Sequence, residues 1–244
     1  MRNCLVRIVV LVVVFASASH AAVKINGTGE FYTVIQSAVN AAHDMDVLHV
    51  SAGVYNQHIT HTGTNRLTIR GGYAADCVTY LGGDLTTIDG GGSTVIHVDD
   101  ATLTLDGLKI TGGGIGVYAV NDSAVFCIVC DIFGNTGGAG GMYINDSLVT
   151  LDHTRVHDNT ALDRGGGARV FGDATLMLLD SHCSIASNAA PEGGGLAVRE
   201  GTVYIRNNAD IYANRAVTRG GGILLEGGAT AVIEGTGTFV GHPN

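Results

Sequence analysis

The chain has 244 residues, 37 of them glycine and 2 proline, and its 13 Lys plus Arg against 22 Asp plus Glu leave a net charge of −9. That balance excludes nucleic acid and anionic membrane surfaces as default partners, because both demand clustered cations. The glycines follow no Gly-X-Y period, which excludes collagen, and short alternating runs of Val, Ile, Leu and Thr exclude a disordered glycine-rich polymer.

In chain order, Arg2 and Arg7 precede an apolar stretch from Ile8 to Ala16, and Ser19-His20-Ala21 places small residues where a signal peptidase reads. Residues 1–21 are therefore expected to be a signal peptide, with a mature chain from Ala22 that is secreted or displayed at the cell surface. The apolar run is shorter than the ~20 residues a spanning helix needs, so no integral membrane protein is expected after cleavage. Cleavage removes two of the 13 basic residues and no acidic ones, and 11 − 22 makes the mature charge −11.

Thr33-Val34-Ile35-Gln36 reads as a capping box, and Val34, Ile35, Ala38, Val39 and Ala42 form an apolar stripe at helical spacing. This predicts a helix from Tyr32 to His43, suited to plugging the open end of a repeat stack. Irregular coils follow up to residue 111, with strands expected over Val47 to Val50, Leu67 to Ile69, Thr87 to Ile88, Val95 to Val98 and Leu103 to Leu105.

From residue 112 onward a regular array sets in. Glycine clusters end at Gly114, Gly141, Gly167, Gly195 and Gly222, at intervals of 27, 26, 28 and 27 residues. Each interval carries an apolar residue three positions before a polar one: Ile132/Asn135, Val156/Asn159, Ile185/Asn188, Ile211/Asn214 and, degraded, Phe239/His242. A fixed period of this size is the mark of a solenoid. After the last glycine come Ile115-Gly116-Val117, Met142-Tyr143-Ile144, Ala168-Arg169-Val170, Leu196-Ala197-Val198 and Ile223-Leu224-Leu225, whose first and third residues alternate inward. A second strand supplies the inward pairs Val125/Cys127, Val149/Leu151, Leu176/Leu178, Val203/Ile205 and Ala231/Ile233, and the Ile-x-x-Asn segment supplies a third strand. Three short strands per rung of about 27 residues predict an all-β, right-handed parallel β-helix, a single domain over 22–244 with a short N-terminal capping helix. The Asn fits a turn where a side-chain amide satisfies backbone groups, and the glycines fit a tight corner. The chain reaches Gly241-His242-Pro243-Asn244 where another glycine corner is due, so the C-terminal rung is expected to be uncapped and open to end-to-end association.

Four cysteines follow the signal. Cys130 and Cys183 hold equivalent places two rungs apart, about 9 to 10 Å by strand spacing and beyond the ~7 Å reach of a disulfide, so packed thiols or a local pair are expected. Cys127 and Cys130 resemble half a zinc site, but no second pair follows at ligand spacing, and no metal or cofactor is expected.

These residues resemble the right-handed parallel β-helix, or pectin-lyase-like, superfamily. Tyr32 to Tyr55, Ile69-Arg70-Gly71-Gly72-Tyr73 and Thr87-Ile88-Asp89-Gly90-Gly91-Gly92 are similar to that family's first coils. The array from Gly112 onward is similar to the repeats of polymorphic outer-membrane proteins, which are autotransporter adhesins. The resemblance implies the fold and an exported surface role; it leaves activity open, because the repeats encode turns.

Many proteins of this fold act on polysaccharides. Inverting hydrolysis needs an acid and a base carboxylate about 6.5 to 9.5 Å apart. The adjacent Asp99-Asp100 reads as a solvated turn pair, and neither the calcium-binding carboxylates nor the arginine signature of pectate lyases is found. Asp152, His153, Arg155, His157 and Asp158 form the densest titratable cluster; Asp152, His157 and Asp158 are the catalytic candidates, set against a plain polar outer face. Two outward columns of the first strand make a better case for binding. They read Gly116, Tyr143, Arg169, Ala197, Leu224 and Tyr118, Asn145, Phe171, Arg199, Glu226, which makes Tyr118, Tyr143, Arg169, Phe171, Arg199 and Glu226 the candidate ligand-contacting residues. The second strand's outward column, Phe126, Thr150, Met177, Tyr204 and Val232, is unusually apolar. The preferred expectation is a secreted β-helix without catalysis that contacts a polysaccharide or a cell-surface protein. The alternatives are a polysaccharide lyase or glycoside hydrolase, and a fragment of a longer surface protein.

Overall fold

The structure is a computed structural model that describes residues 22–235 and the backbone of Phe239 and Val240. The expected signal peptide and the expected uncapped end at 241–244 lie outside the described residues. No helix among the described residues is long and apolar enough to cross a membrane.

The chain winds into an all-β parallel solenoid of about 7 rungs spaced about 26 residues apart. Its strands fall into three long sheets of 10, 8 and 7 strands and a small fourth sheet of 4. The glycine-side sheet stacks Ile59–Thr62, Thr94–Asp99, Ile115–Val120, Gly140–Asn145, Ala168–Phe171, Leu196–Arg199 and Ile223–Glu226. The sheet of the Ile-x-x-Asn segments aligns Ile88, Ile110, Ile132, Val156, Ile185 and Ile211 in one register. All six are buried. The remaining long sheet aligns Val125, Val149, Leu176 and Val203 beside Cys127, Leu151, Leu178 and Ile205. Alternation explains the pattern, since successive side chains of a strand point to opposite faces and the apolar half of each strand fills the bore. Each fully buried Val, Leu or Ile contributes roughly 1.5–3 kcal/mol relative to exposure. In the last rung the equivalent inward positions Leu225 and Ile233 are exposed.

Among the corner residues, Asn135, Asn159, Asn188 and Asn214 are buried and bonded to one another in series. The Asn135 amide Nδ2 and backbone N–H both donate to Asn159 Oδ1 at 3.0 Å, and Asn159 and Asn188 repeat this toward Asn188 and Asn214. Each Nδ2 from Asn159 on also donates to the carbonyl of the preceding Ile132, Val156 or Ile185 at 2.8–2.9 Å. The side chain thus supplies the donors and acceptors that the bend removes from the strand ladder.

The glycine register differs from the sequence expectation at one point. Gly116 pairs with Gly141, because Val117 faces Met142 and Tyr118 faces Tyr143. The stacked corner glycines are therefore Gly116, Gly141, Gly167, Gly195 and Gly222, and Gly114 stands outside the column. The cause is steric: a Cβ on Gly167 would meet the Gly195 carbonyl oxygen and Ile185 Cγ2 at 2.6 Å and Asn188 Nδ2 at 2.9 Å, and Gly116 has the equivalent neighbours two rungs earlier, Gly141, Ile132 and Asn135. Ile115, paired with Gly140 ahead of the corner, is only partly buried, where an inward position was expected.

The helix is shorter than expected, Ile35–Ala41, with Val34 at its N-cap and no side-chain cap from Thr33. Gln57 Oε1 from the next coil accepts the Ile35 N–H at 2.9 Å instead. Gln36 is drawn away from the cap to the edge strand of the glycine-side sheet, where it accepts from the Thr60 N–H at 2.7 Å and donates to the Thr60 carbonyl at 2.9 Å. The helix thereby satisfies backbone that has no further strand to pair with. Val23–Ile25 pairs antiparallel with Phe31–Tyr32 and with Val47–Ser51, an addition to the parallel stack that the sequence pattern did not indicate.

Two substitutions test this account. Asn159→Ala removes the acceptor of the Asn135 backbone N–H and the amide donor to the Ile132 carbonyl, while Asn135 Nδ2 keeps the Ile110 and Phe133 carbonyls, at a cost of about 1–3 kcal/mol for each group that stays dry. Gly167→Ala forces overpacking against backbone, expected to cost about 1–3 kcal/mol or more. Urea denaturation of both variants measures the loss, and a midpoint equal to that of the parent chain contradicts the corner account.

Candidate functional site

The outward face of the glycine-side sheet carries the candidate contact residues, in columns corrected by the register above. Tyr118, Tyr143, Arg169, Ala197 and Leu224 form one column; Asn145, Phe171, Arg199 and Glu226 form the next. Tyr118 thus joins Tyr143 and leaves the column in which the sequence placed it, because the Gly116 to Gly141 match shifts its strand by two residues. In-register stacking makes like neighbours touch. His97 meets Tyr118 edge-on at 5.0 Å, Tyr118 and Tyr143 stack at 4.9 Å and 10°, and the Arg169 guanidinium lies 5.8 Å over the Tyr143 ring. In the adjacent column Arg199 lies 5.6 Å over Phe171. These ring faces are covered by one another, so the tyrosines present edges and hydroxyls to solvent.

The row of large side chains is broken at Ala197. There a cleft of about 210 Å³ opens, lined by Asp163, Arg164, Arg169, Phe171, Ala197, Arg199 and Glu226. Four of the six sequence-predicted contact residues meet in it: Arg169, Phe171, Arg199 and Glu226. Tyr118 and Tyr143 extend the row away from its mouth.

One wall comes from residues the sequence reading missed. The segments after Asn159, Asn188 and Asn214 form strands of the small fourth sheet, Thr160–Ala161, Ala189–Glu192 and Arg215–Arg219, alongside Thr136–Gly137. Arg164, Glu192 and Arg219 stand immediately before three glycine triplets and stack as a column of alternating sign. Arg164 bonds Glu192 at 2.8 Å and Glu226, and Arg219 bonds Glu192 at 3.0 Å and Glu226 at 2.6 Å. Asp163 pairs with Arg169 at 3.2 Å. The charge alternation at a fixed repeat position was the available signal.

The catalytic candidates divide between two places. His157 Nδ1 contacts Asp158 Oδ2 and its Nε2 contacts Asp131 Oδ1, each at 2.7 Å, and Arg155 reaches the other Asp131 oxygen at 2.9 Å. An imidazole with both nitrogens held by carboxylates is an ion-pair node and presents no free nitrogen to a reacting proton. The hydrogen bond to Asp131 raises the His157 pKa above its ordinary 6.5 against the opposing effect of burial, with Asp158 adding to the rise. Burial pushes the Asp131 carboxyl up, but His157, Arg155 and Lys109 outweigh it and hold it below 3.8. Asp152 lies elsewhere, against His153 and Asp180. With His182, which belongs to the next rung, His153 and Asp180 bring donor atoms within 4.8 Å of one another, a group that sequence spacing did not reveal.

The four cysteines of the described chain are buried free thiols. The Cys127 thiol is pushed well up by its hydrogen bond with Cys130 and by complete burial, which keeps it protonated and unreactive. The second strand's outward column keeps its expected register and is largely covered, with Thr150 buried and Phe126, Met177, Tyr204 and Val232 partly so.

Compared with known families, residues 93–238 match the one described as Right handed beta helix region. The comparisons with curated proteins and with solved structures returned no match.

The His157 pair has a defined pH signature. A raised imidazole pKa contributes stability that is complete below 6.5 and fades as pH climbs through the folded value; the depressed Asp131 contributes above 3.8 and fades as pH falls through its own folded value. His157→Gln is therefore expected to cost about 1–3 kcal/mol near pH 5.5 and much less at pH 9, where the imidazole is neutral and the Arg155 to Asp131 ion pair is common to parent and variant. Denaturation of parent and variant at both pH values gives the difference, and equal losses at the two contradict the pairing.

Proposed function

We propose, from the premise that this chain belongs to the right-handed β-helix family, that it works by contact and not by turnover, holding a carbohydrate chain on the outward face of its glycine-side sheet. The cleft at Ala197 carries this reading. Ala197 leaves room between the larger side chains, Arg169 and Arg199 line it, and Asp163 and Glu226 add acceptors, so that hydroxyl and carboxylate groups of a sugar find both donors and acceptors. At about 210 Å³ it is smaller than the ~300–1,000 Å³ pockets that enclose drug-sized ligands, which suits one sugar unit of a longer chain. The tyrosine row running from it along the stack offers hydroxyls at rung spacing, about 4.8 Å, to the units that follow. The exported setting expected from residues 1–21 agrees with such a role.

A polysaccharide-cleaving activity is the second reading, and one observation favours it: Asp163 and Glu226 are two carboxylates on the same cleft. Hydrolysis requires one of them to act as a proton donor. Both are engaged by arginine, Asp163 by Arg169 and Glu226 by Arg164 and Arg219, so these carboxylates already serve as acceptors within the cleft wall, which argues for binding.

Incubation with a panel of neutral and uronic polysaccharides separates the readings. Retention without new reducing ends or unsaturated products is expected, and Arg169→Ala with Arg199→Ala is expected to weaken it at least tenfold, about 1.4 kcal/mol. Product release replaces the contact reading with the enzymatic one. Retention unchanged in the double variant, or binding only to a protein surface, overturns the carbohydrate assignment.

A further inference from the structure

At the outer corner between two successive rungs, His153 and His182 occupy equivalent places, each one residue before the stacked pair Thr154 and Cys183, as the Arg155 to Ser184 register shows. Their rings lie parallel at 4.5 Å and 9°. Leu151 pairs with Leu178, so the first rung reaches Thr154 in three steps (154 − 151) and the second reaches Cys183 in five (183 − 178). This two-residue insertion loops out and carries Asp180 back onto the earlier rung. Asp180 Oδ1 accepts the backbone N–H groups of His182 at 3.0 Å and Cys183 at 3.1 Å, which orients the carboxylate and leaves Oδ2 facing His153.

The result is an overcrowded ring nitrogen. His153 Nδ1 lies 2.7 Å from Asp152 Oδ1 and 2.5 Å from Asp180 Oδ2. A ring nitrogen carries at most one proton and can satisfy one of these oxygens well. A divalent cation placed among them satisfies all three atoms and removes the repulsion between the carboxylates.

We propose that His153, His182 and Asp180, whose donor atoms already converge, form a binding site for a borderline divalent cation of the Zn²⁺ type, with Asp152 drawn in from its contact with His153 as the fourth ligand, clamping two rungs together at their outer corner. The donor set decides the metal. Two imidazoles and two carboxylates suit tetrahedral Zn²⁺ at about 2.0–2.2 Å per bond, whereas Ca²⁺ takes six to eight oxygens that this corner does not supply. The contacts at 2.5 and 2.7 Å must open by somewhat under ~1 Å to reach the ligand separations of a tetrahedron. His153 and Asp152, about half-exposed, make that movement around the fixed Asp180 without disturbing the core. The backbone bonds that fix Asp180 provide the outer-shell support that metal-ligating carboxylates use. This site is separate from the Ala197 cleft, and neither proposal depends on the other.

Titration calorimetry with Zn²⁺ alone on the full, untagged chain, previously stripped with chelator, tests the assignment. One equivalent is expected to bind; His153→Ala and His182→Ala are each expected to weaken it at least tenfold, and His157→Ala, which removes a different histidine and carboxylate group nearby, is expected to leave it unchanged. Co²⁺ is expected to give the intense visible absorption of a tetrahedral site, lost in the first two variants, with far-ultraviolet circular dichroism confirming that all variants remain folded. Zn²⁺ affinity unchanged in His153→Ala and His182→Ala, loss of binding in His157→Ala, or Ca²⁺ displacing Zn²⁺ at equal concentration overturns the proposal.

Discussion

Registration of each corner against the next is the constraint on which everything else rests. The buried chain of asparagines from Asn135 to Asn214 passes hydrogen bonds from rung to rung, each amide donating forward to the next amide and back to a carbonyl one rung earlier. No apolar residue of similar volume can replace that function, because the bend strips backbone groups of their ladder partners in a dry interior, where an unpaired group costs about 1–3 kcal/mol. The corner glycines answer the same geometry from the other side. They let one rung's backbone approach the next rung's carbonyl and the Asn amide more closely than any side chain permits. Hydrophobic burial stabilises the stack, but Val, Ile and Leu are tolerant of sliding; the amide chain and the glycines choose the register.

Once register holds, sequence period becomes surface pattern. Residues 24 to 29 apart in the chain sit side by side, which turns Tyr118 and Tyr143 into a stacked pair and Arg164, Glu192 and Arg219 into a ladder of alternating charge. The ion pairs of that ladder are partly buried at the surface, and such pairs add little individually. Their use is to hold the small fourth sheet upright beside the glycine-side face, giving the cleft at Ala197 a wall. The two histidine and carboxylate groups arise the same way. His157 draws in Asp131 from the rung before, and His153 draws in Asp180 and His182 from the rung after.

Much of this was legible in the sequence. The Ile-x-x-Asn spacing located the third strand of each rung and its buried column, and the alternation of Val149/Leu151 and Leu176/Leu178 located the second. The first strand was legible except for the placement of Gly116, where counting from the last glycine of a cluster chose Gly114. That error moved Tyr118 to the wrong column, since one mistaken corner displaces every residue of its strand. The helix was legible as a plug, but its cap was not: Gln36 has a stronger claim on the Thr60 backbone than on its own first turn, and Gln57 fills the vacancy from another coil.

Local pattern, then, was enough for the β-helix, its inward columns and the identity of its corner residues, because periodic burial and turn chemistry are properties of short segments and repeat along the chain. The cleft, the paired Asp131 and His157, and the meeting of His153 with Asp180 and His182 came only from the assembled stack. Each depends on which side chains of neighbouring rungs are set against one another, and for Asp180 on a two-residue insertion in its rung; such a contact is a property of three-dimensional packing with no counterpart in the spacing of any single segment.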